Sequence, residues 1–560
     1  MRHTFKTLSD ILEYSSSVYA KRTASDFVDG GQHYTYAHFK ETCDRISGVL
    51  ATFGINASDK IAILSENMPN WAVAFFAITS NGRIAVPMLP EVSPNEVENI
   101  LTHSDAKAIF VSRKQLPKIS EEALKRLHIV VDISTFELIR VDKTKYTCDG
   151  TIKHPEPMDI AAIIYTSGTT GNAKGVMLSH RNFCANVEES WYAHHVYRKD
   201  VFLSILPLAH TYEMSIGMLY PFARGCSVYY IQKPPTPTIL MAAIDKLRPT
   251  TMLSVPLIIE KIVRNKVNPT IASSKFLTYL RDKMPWLLYW LVGTKLKKQF
   301  GGRIRFFGIG GARLDVEVER FLKKCRFPYA IGYGLTETAP LICDAGPKKT
   351  HVGTTGTASF GVSVRLANVN PETGQGELQV KGPNVMLGYY KDYVRTQAVM
   401  TEDGWMRTGD MATVDKKGRY SILGRMGNVI IGSSGENIYP EEIESVINNI
   451  GGVNDSLVIS RSGQLVALVQ FNDGLIDWNL EGQDKFIENL EQKKKEVMDF
   501  VNSKVSQFLR IKDVEVMKEP FNKTATHKIR RFLYQDKAQA KGQAPESKAP
   551  ESREEVKEGK

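Results

Sequence analysis

The sequence predicts an α/β protein: a large N-terminal domain of helix-covered parallel sheets with a small β element, then a small α+β C-terminal domain. Three observations predict it. Short apolar, β-branched runs alternate with helical stretches at 61–64, 108–111, 129–131, 160–165, 201–206, 227–231, 252–255 and 304–309. Such runs read as strands buried on both faces. A Gly-rich, hydroxyl-rich stretch at 165–175 sits between two of these apolar runs. The chain has 560 residues, 42% of them hydrophobic, which is ample for more than one core.

Residues 1–424 read as the large unit. Near 356–387 the text shifts to short strands and turns such as Asn370-Pro371-Glu372-Thr373-Gly374, which marks the small β element. Residues 425–535 read as the small unit. Pro440 suits a helix start, and Glu441 and Glu442 suit its first turn. Ile443, Val446, Ile447 and Ile450 keep helical spacing, with Gly451-Gly452 as the stop. Runs 457–460 and 465–471 read as a hairpin. An amphipathic helix near 484–509 is expected to bury Val497, Val501, Val505 and Phe508. Residues 536–560 are Lys/Glu/Ala/Pro-rich and read as a disordered tail.

The stretch 165–175 is Tyr-Thr-Ser-Gly-Thr-Thr-Gly-Asn-Ala-Lys-Gly. Gly168 and Gly171 let backbone N–H groups approach a ligand. Thr166, Ser167, Thr169 and Thr170 add hydroxyls, and Lys174 adds a point charge. Such a loop suits a polyphosphate. It lacks the Gly-x-x-x-x-Gly-Lys-Ser/Thr spacing, and strand-like Val176-Met177-Leu178 follows it before Ser179 caps a helix. The expected cradle is therefore strand–loop–strand.

Composition narrows the function. Cys43, Cys148, Cys184, Cys226, Cys325 and Cys343 form no C-x-x-C pair, so a disulfide framework or zinc site is not expected and a reducing, cytoplasmic setting fits. No apolar run approaches the ~20 residues that span a bilayer. A soluble or peripheral protein is the expectation. The net charge of +11 fits nucleic acid, an anionic membrane or polyanionic small molecules, and equally a mildly basic cytosolic enzyme with no charge-specific partner. No nucleic-acid motif is visible, so no nucleic-acid partner is expected. Leu277, Leu280, Trp286 and Trp290, flanked by Lys275, Lys283, Lys295 and Lys298, read equally as an interfacial membrane element, on the inner face of the membrane, or as a packed helix.

Further motifs follow in order: Gly308-Ile309-Gly310-Gly311-Ala312, Gly332-Tyr333-Gly334-Leu335-Thr336-Glu337-Thr338, Trp405-Met406-Arg407-Thr408-Gly409-Asp410, and Gly424-Arg425. Ser434-Gly435-Glu436-Asn437 and Thr526-His527-Lys528-Ile529-Arg530-Arg531 come later. Together with 165–175, this order resembles the adenylate-forming superfamily, and within it the AMP-forming long-chain fatty acid–CoA ligases, over nearly the whole chain to Leu533. Ala173 departs from the usual proline and removes no ligand-binding group.

The resemblance implies ATP, Mg²⁺ and CoA as cofactor and co-substrates, a long-chain fatty acid as substrate, and a mobile small domain. Phosphate contacts then fall to 166–171 and Lys174. Gly310, Gly311 and Ala312 lie against adenine, and Tyr333 and Gly334 adjoin it, with the Tyr333 ring stacked on the base. Thr336 contacts the α-phosphate, and Glu337 binds Mg²⁺. Asp410 and Arg425 reach the ribose. Lys528 is the catalytic lysine, and Gly435 leaves room for pantetheine.

His210, in Pro207-Leu208-Ala209-His210-Thr211-Tyr212-Glu213, lines the acyl or pantetheine path or is structural. Met214, Met218, Leu219, Tyr220, Phe222, Leu253, Val255 and Leu257 read as tunnel wall or core. Met426-Gly427-Asn428 lacks the family's charged pivot residue, and Gly427 can still pivot. Another acid, or acyl carrier protein as acceptor, uses the same motifs. A catalytically weak lipid-binding scaffold is a third reading, which intact Lys174, Glu337, Asp410 and Lys528 oppose. The sequence leaves the oligomeric state open.

Overall fold

The β-branched runs pair side by side as parallel strands. A computed structural model describes residues 4–145, 151–166, 174–234, 236–432, 437–461, 463–472, 483–524 and 528–535. In an eight-stranded sheet, Lys60–Leu64 runs parallel to Ile84–Met88 on one side and Ala108–Val111 on the other. Parallel neighbours need crossovers, and the helices Pro69–Thr79 and Pro94–Ser104 supply them. Pro69–Thr79 is buried along its whole length. That explains its uniformly apolar text. Pro94–Ser104 starts in a capping box made by Ser93 and Glu96.

A nine-stranded sheet sets Val201–Ser204, Thr251–Ser254, Phe306–Ile309 and Tyr329–Gly334 in parallel succession. Leu341–Ala345 then returns antiparallel beside Tyr329–Gly334. The small β element is a four-stranded antiparallel sheet: Ser363–Ala367, Gly376–Lys381, Met406–Val414 and Tyr420–Arg425. It runs on past the expected end at 387, because the later strands extend the same ladder.

The chain divides into two units, Met1–Val429 and Ile430–Lys560. In the second, Val453–Arg461 and Gln464–Phe471 form the expected hairpin, and Asp513–Val516 joins it in parallel. Helix Pro440–Ile447 stops before the Gly451-Gly452 pair. Helix Gln483–Lys504 buries Val497 and Val501 as expected. Val505 is only partly buried. Phe508 departs from expectation, at 54% exposed. The helix ends at Lys504, and the turn Gln507–Leu509 buries Leu509 instead. The expected tail, 536–560, lies outside the described residues.

Candidate nucleotide and acyl site

Paired strands flank the stretch read as a phosphate loop. Ile160–Thr166 pairs antiparallel with Lys174–Ser179, and Thr166 faces Lys174 in register. This is the strand–loop–strand form read from the sequence. Ser167, Gly168, Thr169, Thr170 and Gly171 lie outside the described residues. Ser179 then caps helix His180–Ala193, accepting from the Asn182 N–H.

Gly388–Tyr389 adds to the free side of Lys174–Ser179. That pairing sets the Tyr389 ring 5.1 Å from Lys174 Nζ. The Tyr389 hydroxyl donates to Glu337 Oε1 at 2.9 Å. Burial lowers the Lys174 pKa, and the nearby Glu337 carboxylate opposes that shift. Lysine and glutamate are thus held around one tyrosine.

Tyr333 and Gly334 end the strand Tyr329–Gly334. A Cβ on Gly334 would lie 1.7 Å from the Pro340 carbonyl oxygen, so the hairpin to Leu341–Ala345 excludes any side chain there. Thr336 and Glu337 lie in the turn Thr336–Thr338. Buried Asn186 clamps that turn: its Nδ2 donates to Thr338 O at 3.0 Å and its Oδ1 accepts from Leu341 N at 2.9 Å. Met386 N donates to Glu337 O at 2.8 Å.

Asp410 is 4% exposed, on strand Met406–Val414. Its Oδ2 accepts from the Tyr333 hydroxyl at 2.5 Å, and its Oδ1 pairs with Arg425 Nε at 2.9 Å. Arg425 also donates to Thr408 O at 3.0 Å. Burial and then the Asp410 charge hold the Tyr333 phenol well above its ordinary pKa, so it stays a donor. Three residues read as adenine and ribose contacts therefore form one network. Gly310 and Gly311 follow the strand Phe306–Ile309, with Gly311 at φ +85° and Ala312 exposed. A Cβ on Gly310 would press on the Tyr212 ring at 3.2 Å.

Glu337 fits magnesium as a lone carboxylate. Mg²⁺ is commonly held by one or two carboxylates with substrate phosphates and water. Among the described residues no three His, Cys, Asp or Glu side chains gather as a metal cage.

An apolar pocket opens behind the same strand, with ≈ 510 Å³ of empty space, part of it open to solvent. Its walls include Tyr212, Ile216, Tyr220, Leu253, Gly332 and Leu341. His194 also lines it, stacked on Phe306 at 4.5 Å, and burial brings its pKa down to about 4, so it stays neutral. Tyr220 and Leu253 are thus pocket wall. Met214, Met218, Leu219 and Phe222 are core instead. Val255 is partly buried, and Leu257 is neither wall nor core, at 51% exposed.

His210 sits in the turn before the helix that carries Tyr212, and its Nδ1 accepts from Tyr212 N at 3.2 Å. Asn67 fixes the same turn, accepting from Leu208 N at 2.9 Å and donating to Leu206 O at 2.6 Å. Sequence reasoning missed Asn67, Asn186 and Tyr389. Asn67 and Asn186 act through long-range backbone contacts that leave no local pattern. Tyr389 had a weak signal, a Gly-Tyr-Tyr run with strand propensity.

Lys528 is exposed, in the second unit. Thr524 N donates to Lys528 O at 2.8 Å, and Lys523 bridges Ile529, which makes a short two-stranded loop. Neighbouring cations are tied down: Lys523 pairs with Asp455 at 2.7 Å, and Arg531 with buried Glu444. Gly435 lies outside the described residues.

The family profile described as AMP-binding enzyme matches residues 12–390. Long chain acyl-CoA synthetase 6, peroxisomal, of Arabidopsis thaliana is 31% identical over 79% of this chain and 69% of its own length. The crystal structure of the anthranilate CoA ligase AuaEII with anthranoyl-AMP matches with a TM-score of 0.75 at 20% identity, covering 95% of this chain and 97% of that one. O-succinylbenzoate coenzyme A synthetase from Bacillus subtilis, with ATP and magnesium ion, matches with a TM-score of 0.72 at 21% identity, covering 93% and 98%. These two likenesses show the fold.

Proposed function

The chain belongs to the AMP-binding enzyme family, and from that premise we propose that it activates a long-chain fatty acid with ATP and passes the acyl group to coenzyme A. One observation carries the reading: strand Tyr329–Gly334 is wall to both halves of the site. Its Tyr333 enters the polar network, and its Ala330, Ile331 and Gly332 line the apolar pocket. An acyl chain in the pocket ends beside the nucleotide corner.

In the first step a carboxylate oxygen forms a bond to the α-phosphorus, and the bond to pyrophosphate breaks. Two anions must meet, so the site has to supply positive charge and donors. Lys528 supplies charge between carboxylate and α-phosphate, and the Thr336 hydroxyl donates to the phosphate. Lys174 holds the outgoing phosphates. Asp410 and Arg425 orient the ribose, and Tyr333 carries the base. Glu337 would hold magnesium, which would supply positive charge to the pyrophosphate. In the second step the thiolate of coenzyme A forms the thioester bond to the acyl carbon, and AMP leaves. Splitting the reaction replaces one difficult displacement by two easier ones.

The test is a panel of fatty acids of rising length with ATP and Mg²⁺. Pyrophosphate and thioester are read separately, with coenzyme A, acyl carrier protein or neither. Pyrophosphate with acyl-CoA on long acids is the expected result. Thioester only on acyl carrier protein would move the acceptor. No pyrophosphate on any acid would overturn the reading.

A further inference from the structure

Helices Lys275–Lys283 and Pro285–Gln299 turn leucines inward and four of their five aromatics outward, Tyr289 packing on Phe321. Leu280 and Leu288 pack with Ile271 in a small apolar cluster, closed by Leu277, Met284 and Leu291. The outer side keeps Phe276 at 62%, Tyr279 at 58%, Trp286 at 67% and Trp290 at 58% exposure. Large aromatics are seldom so exposed, and two consecutive helices that pack on each other carry four of them. Trp286 and Trp290 are one helical turn apart, and Phe276 and Tyr279 three residues apart, so each pair shares a face.

Cations neighbour these rings along both helices. Lys275, Lys283, Lys295 and Lys298 are exposed. Between 275 and 298 the sequence has six Lys or Arg and one acid, Asp282, which pairs with Arg281 at 2.9 Å. Aromatic rings with basic side chains suit the headgroup zone of an anionic bilayer: rings enter the boundary with the acyl chains and ammonium groups meet lipid phosphates. A second copy docked face to face would set like charges against each other. Among the described residues no helix is long and apolar enough to cross a membrane.

We propose that this face docks on an anionic phospholipid surface. Its purpose follows from the function proposed above, since a long-chain acid partitions into bilayers. The docking itself stands on the exposed rings and cations alone.

The test uses full-length protein with sedimenting vesicles of phosphatidylcholine, with and without one-third phosphatidylglycerol. Binding to the anionic vesicles is expected at least ~10-fold above pure phosphatidylcholine, falling as salt rises, with a blue shift of tryptophan emission. Trp286→Ser/Trp290→Ser and Lys283→Glu/Lys295→Glu/Lys298→Glu should each weaken it at least ~10-fold. Their melting temperatures should stay unchanged, because the altered side chains are exposed.

Pyrophosphate release on a dissolved short acid, without vesicles, reports the catalytic reading separately and should match wild type. Wild-type protein that ignores anionic vesicles overturns the proposal. So do variants that bind as well as wild type, or a dimer that the Trp variant dissolves while vesicle binding is absent. Vesicle binding without pyrophosphate release would support docking and count against the catalytic reading.

Discussion

In the corner proposed for the nucleotide, Asp410 and Glu337 both already have partners. Asp410 holds Tyr333 and Arg425, and Glu337 holds Tyr389. The pocket behind the same strand is the reverse: apolar walls drawn from strands and helices far apart in sequence, touching by shape. The corner positions charge through directional bonds, which fix atoms to tenths of an ångström. As the proposed acyl site, the pocket would select by volume, which each side chain alters only slightly. On the function proposed above, chemistry resides in a few residues and acid selectivity is spread over many.

The largest expected effect lies on the chemical side. Lys528→Ala should cut pyrophosphate release about 100- to 1,000-fold. Its exposed position predicts an unchanged melting temperature. Normal acyl-AMP formation in this variant would remove lysine from the corner's chemistry.

The next effect lies behind the pocket wall. Glu213 is 1% exposed beside the pocket residues Tyr212 and Ile216, and burial pushes its pKa up from 4.5 to about 8. A folded pKa above the unfolded one leaves stability intact below about pH 4.5, and that stability is lost as pH rises through 8. Between pH 6 and 8.5 the wild type should lose roughly 2–3 kcal/mol from this group. Denaturant melts of Glu213→Gln should show that part of the slope removed. Buried Glu189 is also raised, by burial and by Asp344, and keeps its own share in both proteins. Identical slopes would mean that Glu213 is charged in its site.

Gly332→Val sharpens the contrast. A Cβ there reaches Leu341 Cδ2 at 3.3 Å, and the added methyl groups intrude on the pocket. Long acids should lose about 10- to 100-fold in kcat/KM while short acids stay near wild type. Equal loss on all acids would show that the strand, not the volume, is sensitive.

Tyr389→Phe is the smallest step. It keeps the ring beside Lys174 and removes the bond to Glu337. About 10-fold lower activity is expected, with a raised magnesium requirement in titration. An unchanged requirement would separate Tyr389 from the proposed magnesium ligand, Glu337.

The strands, the phosphate-loop flanks and the order of motifs were legible, because apolar periodicity and glycine placement are local properties. The strand–loop–strand cradle and the Ser179 cap follow from adjacent residues. Tyr333, Thr336, Glu337, Asp410 and Arg425 were picked out by their motifs. Asn67, Asn186 and Tyr389 were not, since each acts on backbone or side chains 50 or more positions away. Phe508 failed for a related reason: periodicity ran on, but the helix ended at Lys504. By itself, then, the sequence determined the strand and helix text, the charge of the molecule and the candidate groups for the chemistry. Tertiary structure alone decided that Gly332 and Tyr333 face pocket and corner from one strand, and that Trp286 and Trp290 stay outside while Leu288 goes in. Which face of an element meets the core depends on neighbours folded from elsewhere in the chain, and the local text cannot encode them.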